Sequence, residues 1–159
     1  MYFLLVAIAQ CFAYFILWWL FGSFFGQPTT LVTKRTIYSL LIIFVSSALG
    51  ISLSLSINDP EWSNRIMHAL GGGFLSFLVC FLVVKDSQLK ISRWQFFVFS
   101  FLIVSTLGVA NEILEFFWQN YGHGLFATHI NDTWLDLISN LVGILAASAV
   151  LVPRITVKV

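Results

Sequence analysis

Apolar residues fall in five long runs, at about 2–25, 36–57, 66–84, 95–118 and 133–152. A helix needs roughly 20 apolar residues to cross the hydrocarbon core of a bilayer, and each run is about that long. The polar breaks are short. "GQPTTLVTKR" parts the first two runs, "NDPEWSNR" the second and third, and "KDSQLKISR" the third and fourth. "NYGHGLFATHIND" precedes the fifth, and Pro153 ends it. The pattern predicts an all-α polytopic bundle of five transmembrane helices. It shows no internal repeat and no soluble domain, so residues 1–159 form a single transmembrane domain.

Composition agrees. Hydrophobic residues make up 59% of the chain and charged residues 9%, with a mean hydropathy of +0.94, values that belong to an integral membrane protein. A net charge of +1 gives no basic field for nucleic acid, so the expected partners are membrane lipids. Cys11 and Cys80 lie inside apolar runs and read as small fillers, not as a disulfide framework. The first run has no basic residues ahead of it and no small-residue cleavage site after it, so it reads as a span and not as a signal peptide.

Seven of the eight Lys and Arg residues fall on one side of this topology: Lys34, Arg35, Lys85, Lys90, Arg93, Arg154 and Lys158. Only Arg65 is on the other. The positive-inside rule then puts the N-terminus outside and the C-terminus in the cytoplasm.

That orientation gathers the acids. Glu112 and Glu115 lie near the outer end of the fourth run, Arg65 and His68 at the outer start of the third, and Asp132, Asp136 and Asn140 at the outer start of the fifth. Only Asp86 is cytoplasmic. Asp132, Asp136, Asn140 and Gly143 follow i, i+4, i+8, i+11 spacing, one helix face. Glu112, Glu115 and Gln119 form a second stripe, and Arg65, His68 and Gly72 a third. At 1.5 Å rise per residue, Glu112 and Asn140 both lie about 10 Å inside their helix ends. Three stripes at one depth predict a shared polar chamber. Six carboxylates there (Asp59, Glu61, Glu112, Glu115, Asp132, Asp136) meet one arginine and one histidine. Like charges in a low dielectric cannot all stay ionised. The compensation is a shared proton, a divalent metal ion or a cationic substrate.

Each feature has a plainer explanation. Polar residues between membrane helices act as hydrogen-bonding glue, and Ser46, Ser47, Ser52, Ser54 and Ser56 of the second run read that way. Glue explains Glu112, Glu115, Asp136 and His68 less well, because amides would do it at lower desolvation cost. Asp59 either serves the site or caps the third helix, while Glu61 reads as a solvated loop charge. His123 and His129 are a weak metal signal beside two ordinary loop histidines. The glycines at 71–73 admit a ligand or a neighbouring backbone. Trp62, Trp118, Trp134 and Tyr121 suit an interfacial aromatic belt. Trp18, Trp19, Phe21, Phe24 and Phe25 mark the inner end of the first helix as a lipid-contacting or oligomerising element, leaving a homo-oligomer open.

Asp59 and His68 before the glycine-rich helix, the Glu112/Glu115 pair, and "DTWLDLISNLVG", with Asp132, Thr133, Asp136, Asn140 and Gly143, resemble a known pattern. It is that of the VanZ-like superfamily of small bacterial membrane proteins, closest to the uncharacterised YjdF-type inner-membrane family. The resemblance covers residues 58–145 and implies a bacterial cytoplasmic-membrane protein with its site towards the envelope. It supplies no mechanism.

The leading expectation is a hydrolase or transferase acting on a lipid or lipid-linked envelope substrate. Glu112, Glu115, Asp136 and His68 would be metal ligands or acid–base groups. Arg65, with Asp59 and Asp132, would meet the substrate. Asn140 would orient a carboxylate. The first two helices would complete a lipid-facing wall. The alternatives are a non-catalytic lipid- or glycopeptide-binding or proton-coupled transport protein, and a polar hub that pins the bundle.

Overall fold

The computed structural model describes residues 2–27, 33–122 and 130–155. Among them, five helices are long and apolar enough to cross a membrane. These are α1 (Tyr2–Phe25), α2 (Thr33–Leu55), α3 (Pro60–Asp86), α4 (Arg93–Tyr121) and α5 (Ile130–Leu151). A 3₁₀ turn, Val152–Arg154, follows α5 where Pro153 cannot extend the α-helical ladder.

Helix ends follow local chemistry. α1 stops at Gly26, whose φ of 59° is the left-handed conformation that glycine adopts without steric cost. α3 begins six residues before the apolar run that predicts it. The Asp59 carboxylate accepts from the Glu61 and Trp62 N–H groups at 2.9 and 3.2 Å, and Pro60 opens the first turn. α4 starts with a capping box, Ser92 accepting from the Gln95 N–H while the Gln95 side chain accepts from Ser92 N–H.

Within α3, His68–Leu75 forms a π-helix between the α-helical segments Pro60–Met67 and Ser76–Asp86. Its glycines bring α5 into backbone contact. A Cβ on Gly73 would lie 2.2 Å from the Asn140 carbonyl, and one on Gly143 would lie 1.9 Å from the Ala69 carbonyl. The glycine run thus admits a neighbouring backbone, as small residues do at membrane helix crossings.

α3 is central. α1 and α2 pack on one side of it and α4 and α5 on another, and no Cα of α1 comes within 8 Å of one of α4. The buried apolar core, including Tyr14, Phe21, Phe77, Cys80, Phe96 and Ala147, fills the half of the bundle nearer the basic helix ends. There Tyr14 Oη donates to the buried Asp86 carboxylate at 2.6 Å. The Gln27 amide makes two bonds, of 2.9 and 3.0 Å, to the Lys90 backbone. The opposite half is looser and polar.

Candidate functional site

Three helices supply the polar cluster. His68 opens the π segment of α3, Glu112 and Glu115 lie one turn apart on α4, and Asp136 sits in the second turn of α5. His68 stands between two buried carboxylates. Its Nδ1 is 3.9 Å from Glu112 Oε1, and its Nε2 is 3.5 Å from Asp136 Oδ2. Glu112 and Asp136 are only 7% and 3% exposed, so neither is a solvated surface charge.

Further groups hold these side chains. Asn64, one turn before His68, donates its amide to both Asp136 oxygens at 3.0 Å. Asn111 donates to Glu115 Oε1 at 2.6 Å. Thr133 and Asn111 both neighbour the Glu112 carboxyl. Glu112 Oε1 itself has no hydrogen-bond partner among the described residues. One ligand atom each from His68, Glu112 and Glu115 lie within 4.8 Å of one another. Two oxygens bound to a single calcium at 2.3–2.6 Å are at most about 5 Å apart. A spread of up to 4.8 Å exceeds what bonds of about 2.0–2.2 Å to a zinc-sized ion allow, so the three side chains would have to draw together to hold a divalent cation of that size.

Asp136 is not a member of that triplet. It faces the ring nitrogen of His68 that is turned away from Glu112, where it can fix the imidazole. Asp132 lies one turn before Asp136, partly buried. Asn140 is buried and forms a wedge between two helices. A Cβ on Gly72 of α3 would lie 2.0 Å from its Oδ1, and one on Gly108 of α4 would lie 3.1 Å from its Nδ2. Asn140 is seated between glycines, and its Oδ1 has no hydrogen-bond partner among the described residues.

Two expected substrate-binding residues are engaged elsewhere. Asp59 caps α3. Arg65 pairs with Glu61 one turn back, Nη2 to Oε2 at 3.3 Å, and its guanidinium lies 5.8 Å from the Trp62 ring centroid. Residues 65 and 68 share a helix face, but the guanidinium of Arg65 is taken up by Glu61 and Trp62, and none of its described contacts is to Glu112, Glu115 or Asp136. His123 and His129 lie outside the described residues.

A cavity of about 480 Å³ opens beside the cluster. Asn64, His68, Asn111, Glu115 and Asn140 line it, and so do Gln10 of α1 and Ser46 and Ser47 of α2. Gln10 donates to Ser76 at 3.3 Å near the cavity floor. The first two helices therefore help build the chamber, which corrects their expected role as a wall alone. Serines elsewhere on α2 do act as glue: Ser54 bonds the Ser63 carbonyl at 2.7 Å, and Ser56 bonds back to Leu53 at 2.7 Å. Asn64, Asn111 and Gln10 escaped the sequence reasoning. Asn64 and Asn111 each precede a selected residue, His68 and Glu115, by one turn, and the same spacing rule would have found them.

The fold and site define an all-helical membrane protein of five spans with a carboxylate–histidine cluster at one end. The chain belongs to the family described as predicted membrane protein (DUF2238), whose model matches residues 2–156. No curated protein and no solved structure matches it.

Proposed function

We propose that the chamber is a divalent-cation site that hydrolyses, or transfers a group from, a lipid or lipid-linked substrate at the outer face of a bacterial cytoplasmic membrane. The convergence of His68, Glu112 and Glu115 within 4.8 Å, with Glu112 Oε1 lacking a hydrogen bond among the described residues, carries this reading. The likeness to VanZ-like proteins belongs to the same proposal, as does the outward orientation drawn from the basic residues.

His68, Glu112 and Glu115 would hold the cation, a mixed N/O donor set that suits zinc, manganese or a related ion. Such an ion, when bound, supplies Lewis-acid polarisation and an activated water. This chain's other residues perform the remaining tasks. Asp136 faces the Nε2 of His68 at 3.5 Å, where it would steady the ring, and Asn64 fixes Asp136 through two bonds. Asn111 positions Glu115. Transport is less well supported. The acid towards the basic end, Asp86, is buried against Tyr14, and no chain of ionisable groups joins it to the chamber among the described residues.

Elemental analysis of detergent-purified protein tests the reading, with wild type beside Glu112→Gln/Glu115→Gln. The expected result is near-stoichiometric divalent metal in wild type, lost in the double variant. Absence of metal from both, after loading trials, would discard the metal centre and leave the cluster as an acid–base or purely structural group.

A further inference from the structure

The polar groups that line the chamber have a common sense: their donors are spent on the protein and their acceptors are left. Asn64 and Asn111 give their amide N–H groups to Asp136 and Glu115, which accept. The Ser76 hydroxyl donates to the Gly71 carbonyl at 3.4 Å, so the Gln10 amide nitrogen is the donor in its 3.3 Å bond to Ser76. No hydrogen bond among the described residues uses the amide oxygen of Gln10, Asn64 or Asn111. Asn140 adds a fourth oxygen. The residue is only 4% exposed and lines the chamber, and its Oδ1 lies unpartnered among the described residues, against Gly72 of the same wall. A buried amide oxygen without a donor is destabilising, and an O–H group from a ligand would satisfy it.

We infer that the chamber receives a neutral polyol, a sugar or glycerol unit, whose hydroxyls donate to the oxygens of Gln10, Asn64, Asn111 and Asn140. The inference rests on the proposed function and names the head group of its substrate. A cavity of about 480 Å³ falls in the usual range of small-molecule sites, about 300–1,000 Å³. Val6, Ala9 and Leu107 also line it and suit the C–H faces of such a molecule. A cation among His68, Glu112 and Glu115 is compatible, because a hydroxyl oxygen meets such an ion as water does. A phosphate would meet the ion as well, but no Lys or Arg among the described residues lines the chamber. Its remaining oxygens would then face amide oxygens with no proton between them. An ammonium group brings donors but would be repelled by the ion. Only a neutral donor satisfies both the amides and the cation.

Native mass spectrometry of the full chain, in a detergent without a sugar head, tests this with lipids of identical acyl chains. The probes are monoglucosyl diacylglycerol, its O-methylated form, phosphatidylethanolamine and phosphatidic acid. Wild type should retain the glucosyl lipid about tenfold better than each of the others. The O-methylated form keeps every oxygen and loses every donor, so equal retention of it would overturn the inference. Equal retention of either phospholipid would do the same. Gln10→Leu and Asn140→Leu each remove an acceptor and should lower retention of the glucosyl lipid about three- to tenfold, with metal content unchanged. Gln10 is only partly buried, so its variant decides the matter should Asn140→Leu fail to fold. Retention by Gln10→Leu equal to wild type would overturn the polyol. Selective retention without metal in any protein would uphold the polyol and discard the metal centre, and metal without selectivity would do the reverse. Excess free glucose separates the two sources of this chemistry: displacement of the lipid marks a soluble polyol, and no displacement marks a lipid-borne one.

Discussion

At the scale of single residues, Asn140 shows most clearly how sequence chemistry becomes packing. An amide three turns into a transmembrane helix reads equally well as a partner for carboxylates. In the structure it is a wedge, and Gly72 and Gly108 exist to admit it. Gly72→Ala would drive a methyl into Asn140 Oδ1, a contact of 2.0 Å that a side chain relieves only by leaving its seat. The expected cost is about 1–3 kcal/mol, the usual range for overpacking. Gly143→Ala should cost more, because its methyl would meet backbone at 1.9 Å. Gly71→Ala should be harmless, as nothing lies within 4 Å of its Cβ position. Thermal melts in detergent check the order, and Asn140→Ala should rescue Gly72→Ala but not Gly143→Ala. Equal melting of all three glycine variants would sink the wedge. His68, Glu112 and Asp136 were legible beforehand because their charge at a shared depth is costly to explain otherwise. Asn64 and Asn111 were legible only through their spacing, one turn before His68 and Glu115, because an amide in a span is usually glue and nothing in composition marks one that grips a carboxylate.

At the scale of elements, the helices and most of their ends are readable from caps: Asp59–Pro60 before α3, the Ser92/Gln95 pair before α4, Gly26 after α1. The π segment His68–Leu75 is not, since three glycines are compatible with an α-helix as well. Its effect is to insert one residue into the register between the two α-helical parts of α3, which π-bulges at functional sites commonly do. That register aims His68 at Glu112 and Asp136 while Phe77 and Cys80 stay in the core. Deleting Gly71 should restore i→i+4 bonding and tighten residues 68–75 to the α-helical winding, which changes the direction of His68 relative to Ser76–Asp86. His68 would then leave the cluster. The expected outcome is near-native helicity by circular dichroism with metal retention abolished. A deletion variant that kept both would reduce the π turn to a packing detail.

At the scale of the whole molecule, the two ends of the bundle are built differently. The basic end is closed: Tyr14 bonds Asp86, Gln27 clasps the Lys90 backbone, Arg93 Nε donates to the Ile155 carbonyl at 3.2 Å, and the phenylalanines of α1 ring Phe99. The other end holds the chamber and most of the acids. This polarity was legible as a charge count, because Lys and Arg placement in short loops responds to membrane insertion and not to packing. The participation of α1 and α2 in the chamber was not legible, as Gln10 and Ser46 carry no charge to flag them. The same polarity yields an orientation that can be measured. A reporter fused after Lys90 should be active in the cytoplasm, and one fused after residue 125 should be active outside. The reverse pattern would leave the geometry of His68, Glu112 and Glu115 intact but turn it towards the cytoplasm. An envelope substrate would then no longer be in reach.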